Sequence, residues 1–231
     1  MAIKLNQVYG IDVDDNTVWK TYQILNLRSK PGQYTSKRKY IEDKNTKFDC
    51  PNLLKKKFWI RMASYIQPER IVSMDFAILN TKKHGHIHLF YIVDVITYKI
   101  LAWEVCFEQT AEVVLRNLKK LKDVRIVHSD HGTQFSSKLV TDYLKKNNIK
   151  QSMGRIGKST DNRWVKYTFG RTRVECLNHE NIENITLWEI KRIVSGYVYW
   201  YNNERPITTL NNLLPNNYIL YLNKINFSSP V

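Results

Sequence analysis

Two acids and one base in this sequence have the type and spacing to do chemistry. Asp75 sits inside IVSMDFAIL (71–79), a short apolar run broken by a single acid. Asp130 closes a second apolar run, VRIVHSD (124–130), and leads into the turn HGTQFSS. A carboxylate among apolar neighbours is costly unless it is paired, hydrogen-bonded or bound to a metal. Two adjacent strands carrying such acids would present both at one edge of a sheet. A hard cation such as Mg2+ or Mn2+ needs this arrangement, with water and phosphate oxygens completing its shell. Taken singly, each aspartate serves equally well as a strand-end cap. Further on, STDNRWVKYTFGRTRVE (159–175) reads as a helix with Asp161 as its N-cap and Lys166 in the first turn and a half.

The elements that must position these residues follow from periodicity. IVSMDFAIL, HIHLFYIVDVI and KILAWEVCF read as strands, the last two joined as a hairpin through Thr97 and Tyr98. TAEVVLRNLKKL has helical spacing, VRIVHSD is another buried strand, SSKLVTDYLKKNN is an amphipathic helix, and IKQSM is a short edge strand. The helix bearing Lys166 follows the Gly/Ser loop GRIGKST, and TLWEIKRIVSGYVYWYNNERP closes the core before a Pro/Asn-rich tail. This order predicts an α/β fold, a mixed sheet with helices on its faces. Upstream, IDVDDNTVWKTYQILNLRSK (11–30) predicts one short helix capped by Asp14, Asp15 or Asn16, with Val18, Tyr22, Ile24 and Leu25 as its apolar stripe. The expected organisation is therefore a helical segment over 1–30, a basic linker over 31–70, a core over 71–222 and a tail over 223–231.

Composition narrows the partners. The 231 residues carry 36 Lys and Arg against 21 acids, a net charge of +15, and the excess is spread along the chain. A distributed excess of that size suits a polyanion, most simply nucleic acid. The most apolar run, HLFYIVDVITYKILAWEVCF, is interrupted by Asp94, Lys99 and Glu104 and is too polar to span a bilayer. No signal peptide is expected at the N-terminus. Cys50, Cys106 and Cys176 lie far apart with no CxxC spacing, which argues against a zinc ribbon or disulfide scaffold and makes a reducing cytosol the default. His84, His86 and His88 alternate as a metal cluster would on one strand face, though an exposed hairpin is the simpler reading. His128 and His131 flank Asp130; packing is expected of the first and phosphate contact of the second. The Lys55–Lys57 run reads as a solvated tract or a DNA contact.

Taken together, Asp75, the motif HSDHGTQFSS and a DN pair opening a helix, with 35 residues between Asp130 and position 166, resemble the DDE transposases and retroviral-type integrases. The closest resemblance is to bacterial insertion-sequence transposases made from two overlapping reading frames, and YWYNNERP (199–206) looks like their C-terminal signature. The resemblance covers roughly residues 65–222. It implies a ribonuclease H-like, five-stranded core and a Mg2+ (or Mn2+) cofactor. It also implies phosphoryl transfer on DNA element ends and targets, homo-oligomers on DNA, and a bacterial, nucleoid-associated location. It makes residues 1–30 a helix-turn-helix remnant, since the family motif needs about three helices and one is expected here.

Carried over position by position, Asp75 and Asp130 fall on the first two catalytic, metal-binding sites, and Lys166 falls where the family has glutamate. An ammonium competes with a divalent cation instead of binding it. Lys166 would pair with Asp75 or Asp130, or reach outward to a DNA phosphate. No acid on the same helix face stands in for the missing one, so impaired catalysis is expected. Ile207 likewise stands where the family usually has histidine. Arg155, Lys158, Arg163, Arg171 and Arg173 are the expected phosphate-tracking residues. The alternatives are a catalytically silent DNA-binding relic or partner subunit, and a hybrid or junction nuclease on the same fold.

Overall fold

Strict alternation along the strands builds a sheet with two apolar faces. In the computed structural model, which describes residues 2–27, 49–54, 70–156, 158–182 and 184–228, five strands form one sheet. They are β1 (Arg70–Thr81), β2 (Gly85–Asp94), β3 (Ile100–Cys106), β4 (Val124–Ser129) and β5 (Lys150–Met153), in the order β3-β2-β1-β4-β5. β1–β2 and β2–β3 pair antiparallel, whereas β1–β4 and β4–β5 pair parallel. This is the expected mixed sheet, with each predicted strand at its predicted place.

On one face, Leu89, Tyr91 and Val93 of β2 pack against Val165 of α6 (Arg163–Glu175) and Ile190, Val194 and Tyr201 of α7 (Leu187–Asn203). On the other, Phe90 and Ile92 join Val72 and Met74 of β1. These meet Val114 and Leu118 of α3 (Ala111–Leu118), Phe135 of the one-turn α4 (Thr133–Ser136), and Val140 and Leu144 of α5 (Lys138–Lys146). A strand covered on both faces reads as a continuous apolar run, which is why β2 does. Helix starts follow their caps. Thr110 and Ser137 cap α3 and α5, and Thr186 with Glu189 forms a reciprocal capping box on α7. At the sheet edge, the Asn202 side chain accepts from Ile100 N–H (3.0 Å) and donates to Ile100 C=O (2.9 Å), giving β3 a partner on its open side.

Several expectations change. Residues 1–30 form two helices, α1 (Ala2–Tyr9) and α2 (Asp15–Ile24), where one was expected. Asp14 does cap α2, accepting from Thr17 N–H at 2.6 Å, but the predicted stripe is not buried: Ile24 and Leu25 are exposed. The expected tail is helical as far as Ser228. α8 (Pro215–Ser228) begins on a proline, which fits a first helical turn, and runs through the boundary expected at 222. Most of the 31–70 linker, including Lys55–Lys57, lies outside the described residues. Its segment 49–54 lies along β5, where Pro51 C=O accepts from Met153 N–H (3.2 Å) and Leu53 N–H donates to Ser152 (3.0 Å). No helix among the described residues is long and apolar enough to cross a membrane.

Candidate active site

The parallel register of β1 on β4 sets Ser73 opposite His128. Two residues further on, Asp75 and Asp130 therefore stand level, where β4 ends beside a β1 that continues. Asp75 lies on the face covered by α6 and is only 7% exposed. Its Oδ1 accepts from the N–H of Phe76 at 2.9 Å, and its Oδ2 faces the Lys166 ammonium at 3.8 Å. Asp130 Oδ1 accepts from Gly132 N–H at 3.0 Å, which shapes the turn into α4. Of the routes open to Lys166, the structure takes the pairing with Asp75.

Burial and the neighbouring Asp130 charge push the Asp75 carboxyl up to about 7, against the opposing pull of Lys166. A carboxyl raised this way stabilises the fold below its unfolded value near 3.8, and that stability is lost as pH rises through about 7. Asp75→Asn, neutral at every pH, escapes the loss. The asparagine variant should gain about 4 kcal/mol on the parent between pH 4 and pH 8. Denaturant unfolding at both pH values checks this; an equal difference at both would contradict the raised carboxyl.

The helix carrying Lys166 is anchored differently from expectation. Ser159–Asn162 form a 3-10 turn that leads into α6. Asp161 does not cap it. Its carboxylate is taken by Arg155, through the backbone N–H (2.9 Å) and both sides of the guanidinium (2.9 and 3.0 Å), and by Asn52 (2.9 Å). These contacts hold the Asp161 carboxyl well below the usual carboxylate range. His128 is buried between β4 and this turn, with Nδ1 at 2.8 Å from Ser152 Oγ and Nε2 at 3.1 Å from Asp161 C=O. Burial lowers its imidazole to about 4, so it is a neutral packing element at neutral pH, as its position suggested.

The other candidates separate. At about 100° per residue, Arg163, Lys166 and Arg173 share roughly 80° of the α6 surface. Arg163 stacks over Trp164 at 4.8 Å, and Arg173 reaches Ile78 C=O of β1 at 3.4 Å. Arg171 turns elsewhere, over Tyr167 (5.5 Å) and toward Glu175 (3.8 Å). Lys158 is exposed beside the 3-10 turn. His84 sits in the β1–β2 turn and not on the strand, while His86 and His88 bond Asn80 (2.9 Å) and Gln109 (2.8 Å). Among the described residues no three His, Cys, Asp or Glu side chains come together as a metal set.

Sequence reasoning passed over the Glu175–Arg205 pair. Arg205 clamps Glu175 through two bonds (2.7 and 2.6 Å), Tyr197 donates to the same carboxylate at 3.0 Å, and the guanidinium lies over Tyr201 at 5.4 Å. The segment YWYNNERP thus joins the end of α7 to the end of α6. Its arginine was the only legible signal.

The donor set does not fit a two-ion centre. Asp75 and Asp130 supply hard oxygens, but the α6 side chain that faces Asp75 is an ammonium.

Comparison with known proteins agrees with the sheet and helix order. Residues 66–159 and 147–215 match two models of the integrase core domain, which overlap and together cover 66–215. The chain is 30% identical over 139 residues to a transposase-like protein of Haemophilus influenzae, covering 58% of this chain and 63% of that one. It is 30% identical over 138 residues to a putative transposase for the insertion element IS150 of Escherichia coli, covering 57% and 48%. The chain thus spans less than two-thirds of the length of these relatives. With the IS904 transposase of Lactococcus lactis the likeness is 24% over 230 residues, covering 95% and 87%. Among solved structures, the catalytic core of bovine immunodeficiency virus integrase aligns with a TM-score of 0.51 at 17% identity, covering 69% of this chain and 99% of that one. The HTLV-2 integrase core, solved in complex with magnesium, aligns at 0.51 and 15% identity, covering 65% and 95%. With its ribonuclease H-like sheet and these matches, the chain belongs to the integrase core domain family, the DDE transposase and integrase core.

Proposed function

We propose that this chain is the DNA-engaging core of a bacterial insertion-sequence transposase whose own phosphoryl-transfer centre is disabled by Lys166. One observation carries the reading: the Lys166 ammonium stands 3.8 Å from Asp75 Oδ2, on the side from which a third carboxylate would complete the metal site. An ammonium so placed repels a second divalent ion and leaves Asp75 and Asp130 as, at most, ligands of a single Mg2+ or Mn2+. The fold and its positive field remain. The protein acts by binding element ends and target DNA as a homo-oligomer in the bacterial nucleoid, either alone or beside intact subunits.

The DNA contacts are assigned to Lys158, Arg163 and Arg173, with Lys166 at the centre of the row. Arg155 and Arg171 have carboxylate partners and contribute less. Each phosphate neutralised adds about 0.9 to the slope of log K against log salt for duplex DNA. The Arg163→Ala, Arg173→Ala double variant should reduce that slope by about 2, and Arg155→Ala should leave it nearly unchanged.

The testing experiment measures duplex binding and strand nicking by the parent chain, with and without Mg2+ or Mn2+. The expected result is salt-dependent binding that needs no metal, and no nicking. Metal-dependent nicking by the parent would overturn the reading. A hybrid or junction nuclease would instead prefer RNA–DNA hybrids or four-way junctions over plain duplex.

A further inference from the structure

Asn162 occupies the N-cap position of α6, where an asparagine side chain normally accepts from the helix's own first amides. Here it makes no such bond. Its side chain is turned into the sheet and is 2% exposed. Oδ1 accepts a short hydrogen bond from the Ser73 hydroxyl, and Nδ2 donates to Met74 C=O at 3.1 Å. Both partners belong to β1, and they are the two residues that immediately precede Asp75. Ser73 is itself fully buried, so neither group has water as an alternative.

The same turn is tied to the next strand. The backbone carbonyl of Asp161 meets His128 Nε2 at 3.1 Å, and His128 lies two residues before Asp130. The start of α6 is therefore held to both aspartate-bearing strands, at the same level on each. Lys166 follows Asn162 by four residues, about one helical turn, so the contacts at 162 set its height above the sheet. Asn162 forgoes the N-cap bond that would stabilise its own helix. Its buried amide bonds to β1 replace that bond and orient the helix.

We propose that Asn162 is a positioning residue: by bonding Ser73 and Met74 it sets where side chain 166 stands relative to the Asp75 carboxylate. It touches neither substrate nor the reacting groups. The apolar contacts of Trp164 and Val165 of α6 are non-directional and do not by themselves fix the height of the helix on the sheet. A polar clamp with two directed bonds fixes it.

Zero-length cross-linking of the parent chain reads this placement without DNA, metal or activity. A water-soluble carbodiimide activates the Asp75 carboxyl, and the Lys166 amine, in its unprotonated fraction, displaces it. An amide joins the two side chains, with net loss of one water taken up as the urea. Peptide mass spectrometry measures the yield. In the parent the Asp75–Lys166 link should form. In Asn162→Ala its yield should fall at least about tenfold, because reaction between held groups depends steeply on their geometry. Far-ultraviolet circular dichroism reports whether the variant is folded. A folded Asn162→Ala with parental yield overturns the proposal.

Where Asn162→Ala fails to fold, Ser73→Ala decides. It removes one of the two bonds and no volume of consequence. A reduced yield supports the clamp, and a parental yield sinks it. The result is independent of the proposed loss of catalysis, which concerns what side chain 166 does and not where it is held.

Discussion

On the proposed reading of Lys166, Lys166→Glu should give a chain that nicks duplex DNA in Mg2+ or Mn2+ where the parent does not. The substitution changes the local charge by two units and supplies a carboxylate where an ammonium now faces Asp75 at 3.8 Å. A third carboxylate completes the ligand set for two ions, and bound ions stabilise transition-state charge by several kcal/mol. Since about 1.4 kcal/mol is tenfold in rate, the expected gain is on the order of a thousandfold or more. The glutamate should also relieve the pairing that now occupies Asp75 Oδ2. A gel assay with end-labelled duplex, run with the parent and the variant side by side, reads the result. An inert glutamate variant that is folded and still binds DNA would mean that Lys166 is not what disables the site. Nicking by both would mean that a carboxylate elsewhere completes it.

The second large effect concerns stability. Arg205→Ala should destabilise the core by about 2–3 kcal/mol, because removing one partner of a largely buried pair leaves the other charge poorly compensated. Glu175 would retain only the Tyr197 hydroxyl at 3.0 Å and Arg171 at 3.8 Å, and the packing of the guanidinium on Tyr201 would go as well. For a domain of this size the melting temperature should drop by roughly 10 °C. Arg116→Ala is the matched comparison. It breaks the Arg116–Glu104 pair, in which the arginine side chain is 53% exposed against 13% for Arg205, so under about 1 kcal/mol is expected. Replacing both Glu175 and Arg205 by apolar residues of similar size should recover part of the loss. If the two arginine variants melt alike, the α6–α7 clamp does not hold the core together.

The candidate site and the stabilising clamp thus fall on different ends of one helix. The first turn of α6 carries the residues that face Asp75, and its last turn carries the carboxylate that α7 grips. A change at 205 should reach the site only through unfolding, whereas a change at 162 should reach it with the fold intact.

What was legible in the sequence was everything encoded at short range. Short apolar runs between turn residues specify strands covered on both faces, so IVSMDFAIL and VRIVHSD could be placed as strands and their acids as polar interruptions. Asp14 could be offered as the cap of α2 because a cap's partner lies three residues away. The 35-residue spacing and the motifs around Asp130 and Asn162 carried the family. Position 166 was readable as a lysine out of place.

Pairings across long separations were decided only by the tertiary structure, since they depend on which faces meet. Asp161 has every attribute of a cap, yet Arg155 and Asn52 reach its carboxylate first. Asn162 could have served its own helix and instead serves β1, 88 and 89 residues away in the chain. Glu175 and Arg205 find each other across 30 residues because α6 and α7 pack on the same sheet face. Lys166 had two aspartates to choose from. The side of the sheet that α6 covers gives it Asp75, for the physical reason that β1 turns that carboxylate toward the helix.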